Sequence, residues 1–155
     1  LKKKLQKKKK KLLKKQQSKG LPMEMTFAII KPDAVAAKNA GKIIDMIEAA
    51  GFTIKAMEKI NMTQEQAHEL YKEHAARSFF GEMVESMTVS PIIVMALEKE
   101  NAVAAWRDLM GATNPKDAAA GTVRALYGTH IGANAAHGSD SLASAARELA
   151  IFFRK

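Results

Sequence analysis

The side chains that exchange a proton near neutral pH are few in this 155-residue chain: it has four histidines and no cysteine. His68 and His74 are six residues apart on one expected helix, so they point from different faces and lack partners for a metal. His130 lies in a glycine-rich stretch with no local carboxylate. His137 is different, because Asn134-Ala135-Ala136-His137-Gly138-Ser139-Asp140-Ser141 surrounds it with small residues and hydrogen-bonding groups. A phosphoryl group can approach an imidazole only where neighbouring side chains leave room. Taken alone, the same octamer also reads as a turn with a helix cap at Ser139, Asp140 or Ser141.

Phosphate chemistry here would have to rest on side chains. The sequence contains no G-x-x-x-x-G-K-[ST] loop, no G-x-G-x-x-G after a strand and no G-x-S-x-G elbow. Kinase-type loops with paired magnesium ligands are missing too. Lys31, in Ile30-Lys31-Pro32-Asp33-Ala34, stands where a strand ends. Phe79 and Phe80 follow Arg77 and Ser78. Residues 111–115 (GATNP) and 121–124 (GTVR) each join a turn to a phosphate-compatible side chain. Simpler readings exist for several of these residues. Arg107 could complement a helix dipole, Tyr71 and Phe79 could fill the core, and Glu148 could belong to a solvated helical face.

These residues need a scaffold, and the apolar spacing outlines one. Residues 26–30 (TFAII) read as a strand stopped by Pro32. Residues 41–50 carry a helical period ended by Gly51. Alternation over 52–62 predicts a second strand. Thr63 with Gln66 makes a capping-box pattern at the start of the helix bearing Leu70, Tyr71 and His74. A short helix at 81–87, a strand at 91–97, a helix at 101–110 and a last helix at 141–150 follow, with 113–137 mainly loop. That order fits an α+β ferredoxin-like βαββαβ sandwich, an antiparallel sheet with helices on one face. The fourth strand, near 133–137, is the weakest element because its residues are few and small.

Charge and composition narrow the class. The formal net charge is +9. Eleven of the 25 basic residues lie in residues 1–22, which hold no acid, so the remaining 14 face all 16 acidic residues. The body is therefore slightly acidic and is no nucleic-acid footprint. Residues 1–22 are expected to be a disordered lysine-rich extension, or at most a frayed surface helix, before a domain at 23–155. Two readings of that extension stand: an arm for acidic lipid or nucleic acid, or a translated upstream stretch outside the native protein, with Met23 and Met25 as candidate natural starts. No apolar run reaches the roughly 18 residues of a membrane span. The start lacks the apolar core of a secretory signal, and the cysteine-free composition fits the cytoplasm.

Four blocks, IKPDAV (30–35), LYKEHAARSFFGE (70–82), MGATNPKDAAAGTVR (110–124) and NAAHGSDS (134–141), occur in one order and spacing. In these blocks the chain closely resembles the nucleoside diphosphate kinase family, over about residues 26–153. The resemblance implies transfer of a γ-phosphate from a nucleoside triphosphate to a diphosphate, in two steps, through a pros-phosphohistidine at His137. Glu148 and Ser139 match the pair that orients the imidazole. Lys31, Tyr71, Arg107, Thr113 and Arg124 match positions around the phosphates, and Lys31 with Asn134 matches the groups that hold the sugar hydroxyls. Phe79 matches the aromatic on which the base stacks, a contact that tolerates any base. The resemblance also implies Mg²⁺ carried by nucleotide phosphates, with no protein side chain as metal ligand. It implies a cytoplasmic homo-oligomer, tetramer or hexamer; no membrane contact is expected, and nucleic acid only through the lysine extension, if at all. Ser78 and Ser90 stand where proline and glycine are usual, and Leu126 where aspartate is common. Two other readings remain at this point: a binding module driven by the lysine arm, and an inactive relative retaining the fold.

Overall fold

The computed structural model describes residues 1–19 and 22–153, with side chains described outside 12–21. The lysine arm carries a helix, α1 (Lys2–Lys19), the alternative to disorder given above, and residues 1–11 are exposed. Lysine and leucine are both good helix formers, which favours that alternative.

The centre of the domain is β1 (Met23–Ile30), whose continuous apolar run buries both of its faces. Pro32 occupies the first turn of α2 (Pro32–Ala36), where its missing N–H costs nothing. In α3 (Ala40–Ala49), Ile43 and Ile47 face inward, and Gly51 leaves the helix at φ +93°. The strand β2 (Thr53–Ile60) follows. The expected capping box is present at α4 (Gln64–Leu70): Thr63 Oγ1 accepts from Gln66 N–H, and Gln66 Oε1 accepts from Thr63 N–H. Then come a 3₁₀ turn (Lys72–His74), α5 (Phe80–Thr88), β3 (Ile92–Glu100) and α6 (Ala102–Met110). The stretch expected to be mainly loop contains a 3₁₀ turn (Pro115–Asp117) and α7 (Val123–Tyr127), capped by Thr122. The short β4 (Ala136–Gly138) and α8 (Leu142–Phe153) complete the fold.

The four strands form one antiparallel sheet in the order β2-β3-β1-β4, the ferredoxin-like α+β arrangement. The expected helical cover on one face is supplied by α3 and α6, through Ile43, Ile47, Trp106 and Met110 against Ala28, Ile30, Met95 and Leu97. The opposite face is covered as well, by α4, α5 and the end of α8, against Phe27, Ile29, Ile92 and Val94. Two-sided cover follows from strands in which both alternating sets are apolar.

The fourth strand is held by a close approach. A Cβ added at Gly138 would lie 2.5 Å from Met110 Cε and 2.6 Å from Trp106 Cδ1, so only glycine fits there. Trp106 Nε1 donates to the carbonyl of His137 at 3.1 Å. Together they seat β4 against β1, with His137 opposite Ile29.

Candidate active site

β4 presents His137 at the edge of the sheet, and α8 brings Glu148 beneath it. His137 Nε2 lies 2.6 Å from Glu148 Oε1, and Ser139 Oγ donates to the same oxygen at 3.2 Å. Glu148 and Ser139 are buried, at 4% and 1% exposure, while 22% of the His137 side chain is open to solvent. A carboxylate accepting from Nε2 fixes the tautomer with that nitrogen protonated. Nδ1 has no hydrogen-bond partner among the described residues. The ring is flanked edge-on by Phe27 at 6.0 Å and Tyr71 at 6.1 Å. Phe27 itself stacks on Phe152 of α8, so the base of the site is rigid apolar packing.

Tyr71 arrives from the end of α4. Burial, and then the Glu148 carboxylate, push its phenol well above the ordinary tyrosine value, so it remains a hydrogen-bond donor across the neutral range.

Lys31 and Asn134 are stitched together from opposite ends of the sequence. Lys31 Nζ donates to Asn134 Oδ1 at 2.9 Å, and Asn134 Nδ2 donates to the Thr113 carbonyl at 3.0 Å. Lys31 N–H donates to the Ala135 carbonyl at 2.9 Å, while Ala135 N–H donates to Asp33 Oδ2 at 3.1 Å. Ala135 has φ +73°, a left-handed conformation unusual for alanine, which these two bonds retain. That kink leads directly into β4 and His137.

Positive charge gathers around the same place. Arg124 donates from Nη1 to the Gly111 carbonyl at 3.0 Å and from Nη2 to the Ala136 carbonyl at 2.9 Å. Its Nε is buried with no partner among the described residues. Burial lowers the Lys31 ammonium from its ordinary value, Asp33 opposes that fall, and Arg124 adds to it. Burial also lowers Arg124, and Arg107 reinforces the effect. Cations that repel one another in a partly desolvated place are able to accommodate a multiply charged anion. Arg107, exposed on α6, also acts on Asp140, whose carboxyl is held below its ordinary value chiefly by the Ser144 hydroxyl.

Of the expected site residues, the structure links His137, Glu148, Ser139, Tyr71, Lys31, Asn134 and Arg124 in one connected group, and Arg107 lies near enough to Arg124 to act on its charge. Thr113 joins through its backbone carbonyl and has an exposed side chain. Phe79, 40% exposed, has His74 and Arg77 as ring neighbours, the Arg77 guanidinium lying 5.8 Å from its centroid. The helix-cap reading of the octamer also holds, because Ser141 Oγ accepts from Ser144 N–H at the start of α8. Three residues outside the expected set take part: Asp33, Trp106 and Arg147. Asp33 and Arg147 are adjacent or nearly so to expected residues, but a sequence has no signal for the contacts they make across the fold.

A ferredoxin-like α+β protein with a histidine–glutamate pair at the sheet edge, beside clustered cations, is thus the class that fold and site define. The family model for nucleoside diphosphate kinase matches residues 24–155. A nucleoside diphosphate kinase of Sorangium cellulosum (strain So ce56) is 53% identical over 133 residues, 86% of this chain and 92% of the relative. One from Campylobacter fetus subsp. fetus (strain 82-40) is 56% identical over 133 residues, 86% of this chain and 97% of the relative. Among solved structures, the Aquifex aeolicus nucleoside diphosphate kinase superposes with a TM-score of 0.83 at 40% identity, covering 85% of this chain and 96% of that one. The halophilic nucleoside diphosphate kinase of Halobacterium salinarum, solved in complex with CDP, also gives 0.83, at 38% identity over 86% of this chain and 90% of that one. The chain belongs to the nucleoside diphosphate kinase family and is an enzyme of that kind.

Proposed function

We propose that the chain moves the γ-phosphate of a nucleoside triphosphate to a nucleoside diphosphate through a phosphohistidine at His137 Nδ1, with little preference for the base. The observation that carries this reading is the 2.6 Å contact between His137 Nε2 and Glu148, which commits one ring nitrogen and leaves the other as the nucleophile.

In the first half-reaction the Nδ1 lone pair attacks the γ-phosphorus, and the bond to the β,γ-bridging oxygen breaks. The nucleoside diphosphate departs with that electron pair. The Nε2 proton stays on the ring, where the Glu148 carboxylate balances the positive charge that develops. In the second half a terminal oxygen of another diphosphate attacks the phosphohistidine, the N–P bond breaks and the imidazole is regenerated. Lys31, Arg107, Arg124 and the Tyr71 hydroxyl serve the phosphate oxygens, with Thr113 at the rim. Lys31 and Asn134 also hold the sugar hydroxyls, and the half-open Phe79 ring receives the base. Arg124 Nε, buried without a partner among the described residues, supports the anion assignment.

Mg²⁺ fits here as an ion carried by the nucleotide. Three carboxylates at or beside the site already have partners, Glu148 in His137, Asp33 in Ala135 N–H and Asp140 in Ser144. Bound to phosphate oxygens, the ion would offset phosphate charge. The catalytic domain would span residues 23–155, a boundary supported by the family match from residue 24. We further propose a cytoplasmic homo-oligomer, tetramer or hexamer, a reading supported by membership of the family. Among the described residues no helix is long and apolar enough to cross a membrane.

The test is labelling with γ-labelled ATP and Mg²⁺, run beside His137→Ala. Acid-labile label on the native chain and none on the variant is the expected result. Equal labelling of both would defeat the assignment.

A further inference from the structure

The buried Glu148 carboxylate is unevenly served. Both His137 Nε2 and Ser139 Oγ meet Oε1, and neither reaches Oε2. The cation beside Oε2 is Arg147, whose Nη2 lies 3.9 Å away, too long for a hydrogen bond but close enough to balance the charge. The other side of the same guanidinium is committed elsewhere. Nη1 donates to the Glu69 carbonyl at 2.9 Å, in the last turn of α4 where helix carbonyls lack internal partners. Glu73, mostly exposed, lies 4.0 Å from Nη2 and is a peripheral contact.

Two residues beyond Glu69 stands Tyr71, with its ring edge-on to His137 and its phenol within the field of Glu148. One guanidinium therefore spans the helix that carries the carboxylate and the helix that delivers the tyrosine. Both groups face the same imidazole.

We propose that Arg147 is a positioning residue for phosphoryl transfer: it seats the Glu148 carboxylate and the α4 end together, so that His137 keeps the Nε2–H tautomer and Tyr71 stays beside it. The inference rests on the phosphohistidine reading and deepens it. Arginine suits the task because its planar fork directs separate nitrogens at a carbonyl and a carboxylate, which a lysine ammonium does with less geometric control.

The experiment compares the full chain with Arg147→Met and Arg147→Lys. Single-turnover phosphorylation by ATP and Mg²⁺, the KM–kcat split, and ¹⁵N NMR of the His137 ring are measured for each. Met should slow phosphorylation about tenfold with the nucleotide KM within about twofold, as expected when an interaction specific to the transition state is lost. The ring signals should move from one tautomer to a mixture, and Lys should restore part of both. A rate for Arg147→Met equal to the native rate would overturn the proposal. So would a slower variant whose ring tautomer is unchanged and whose loss disappears at a temperature where both proteins are fully folded. His137→Ala, run in parallel, separates the two claims: label persisting there sinks the phosphohistidine itself, whereas its loss with normal Arg147 variants sinks only the role of Arg147.

Discussion

His137 and Glu148 are eleven residues apart in the chain and 2.6 Å apart in space, one on the shortest strand and the other on the last helix. Their pairing works only because α8 folds back along β1, with Phe152 stacked on Phe27 beneath the imidazole. Replacing Glu148 by Gln keeps the shape and removes the charge. The expected result is a fall in kcat of roughly 10²-fold with a nearly unchanged KM, read by coupled assay over a range of nucleotide concentrations. A kcat within a factor of two of native would remove Glu148 from the mechanism.

Gly138→Ala should damage the scaffold rather than the chemistry. Its Cβ would meet Trp106 Cδ1 at 2.6 Å and Met110 Cε at 2.5 Å, and the buried indole cannot move aside without losing its bond to the His137 carbonyl. Overpacking of this kind costs about 1–3 kcal/mol. Thermal unfolding would show it as a lower Tm, with activity falling alongside. An unaltered Tm would mean that β4 is more loosely seated than described.

The cation cluster should make a phosphate ligand a strong stabiliser. At about one hundred times Kd, a bound nucleoside diphosphate adds roughly 2.7 kcal/mol. For a chain of this size that corresponds to about 5–10 °C in Tm. Arg124→Met should lower the starting Tm, because two carbonyls lose their donor, and should also remove most of the ligand-induced shift. A shift as large as the native one in this variant would place the phosphates elsewhere.

Asp140 offers a pH test with a definite sign. The Ser144 hydroxyl, first among several causes, holds its carboxyl below the ordinary 3.8 in the folded state. A depressed folded value means that the contribution is fully present above 3.8 and is lost as pH falls through the folded value. Asp140→Asn should therefore lower Tm slightly at pH 7, and the difference from native should vanish in strong acid. The group is largely exposed, so the effect should be small. A difference that grows on acidification would contradict the sign.

Much of this arrangement was already legible as sequence. The β1 run, the capping box at Thr63, the helix exit at Gly51 and the small residues around His137 act through local sterics and hydrogen bonds, which composition and spacing report directly. The four motif blocks carried the family and, through it, the candidate residues. Other features needed the chain in three dimensions. That both sheet faces are covered depends on where α4, α5 and α8 return, and apolar strand residues alone do not say which helix meets which face. The left-handed Ala135 is held by Asp33, which lies 102 residues away, and Arg147 reaches a carbonyl 78 residues away. Such bonds depend on distance and direction between distant segments, quantities that exist only once the sheet has closed and the helices have packed. The amino-acid types thus specified which groups were available for chemistry, and the packing of β4 against Trp106 and of α8 beneath β1 decided which of them meet.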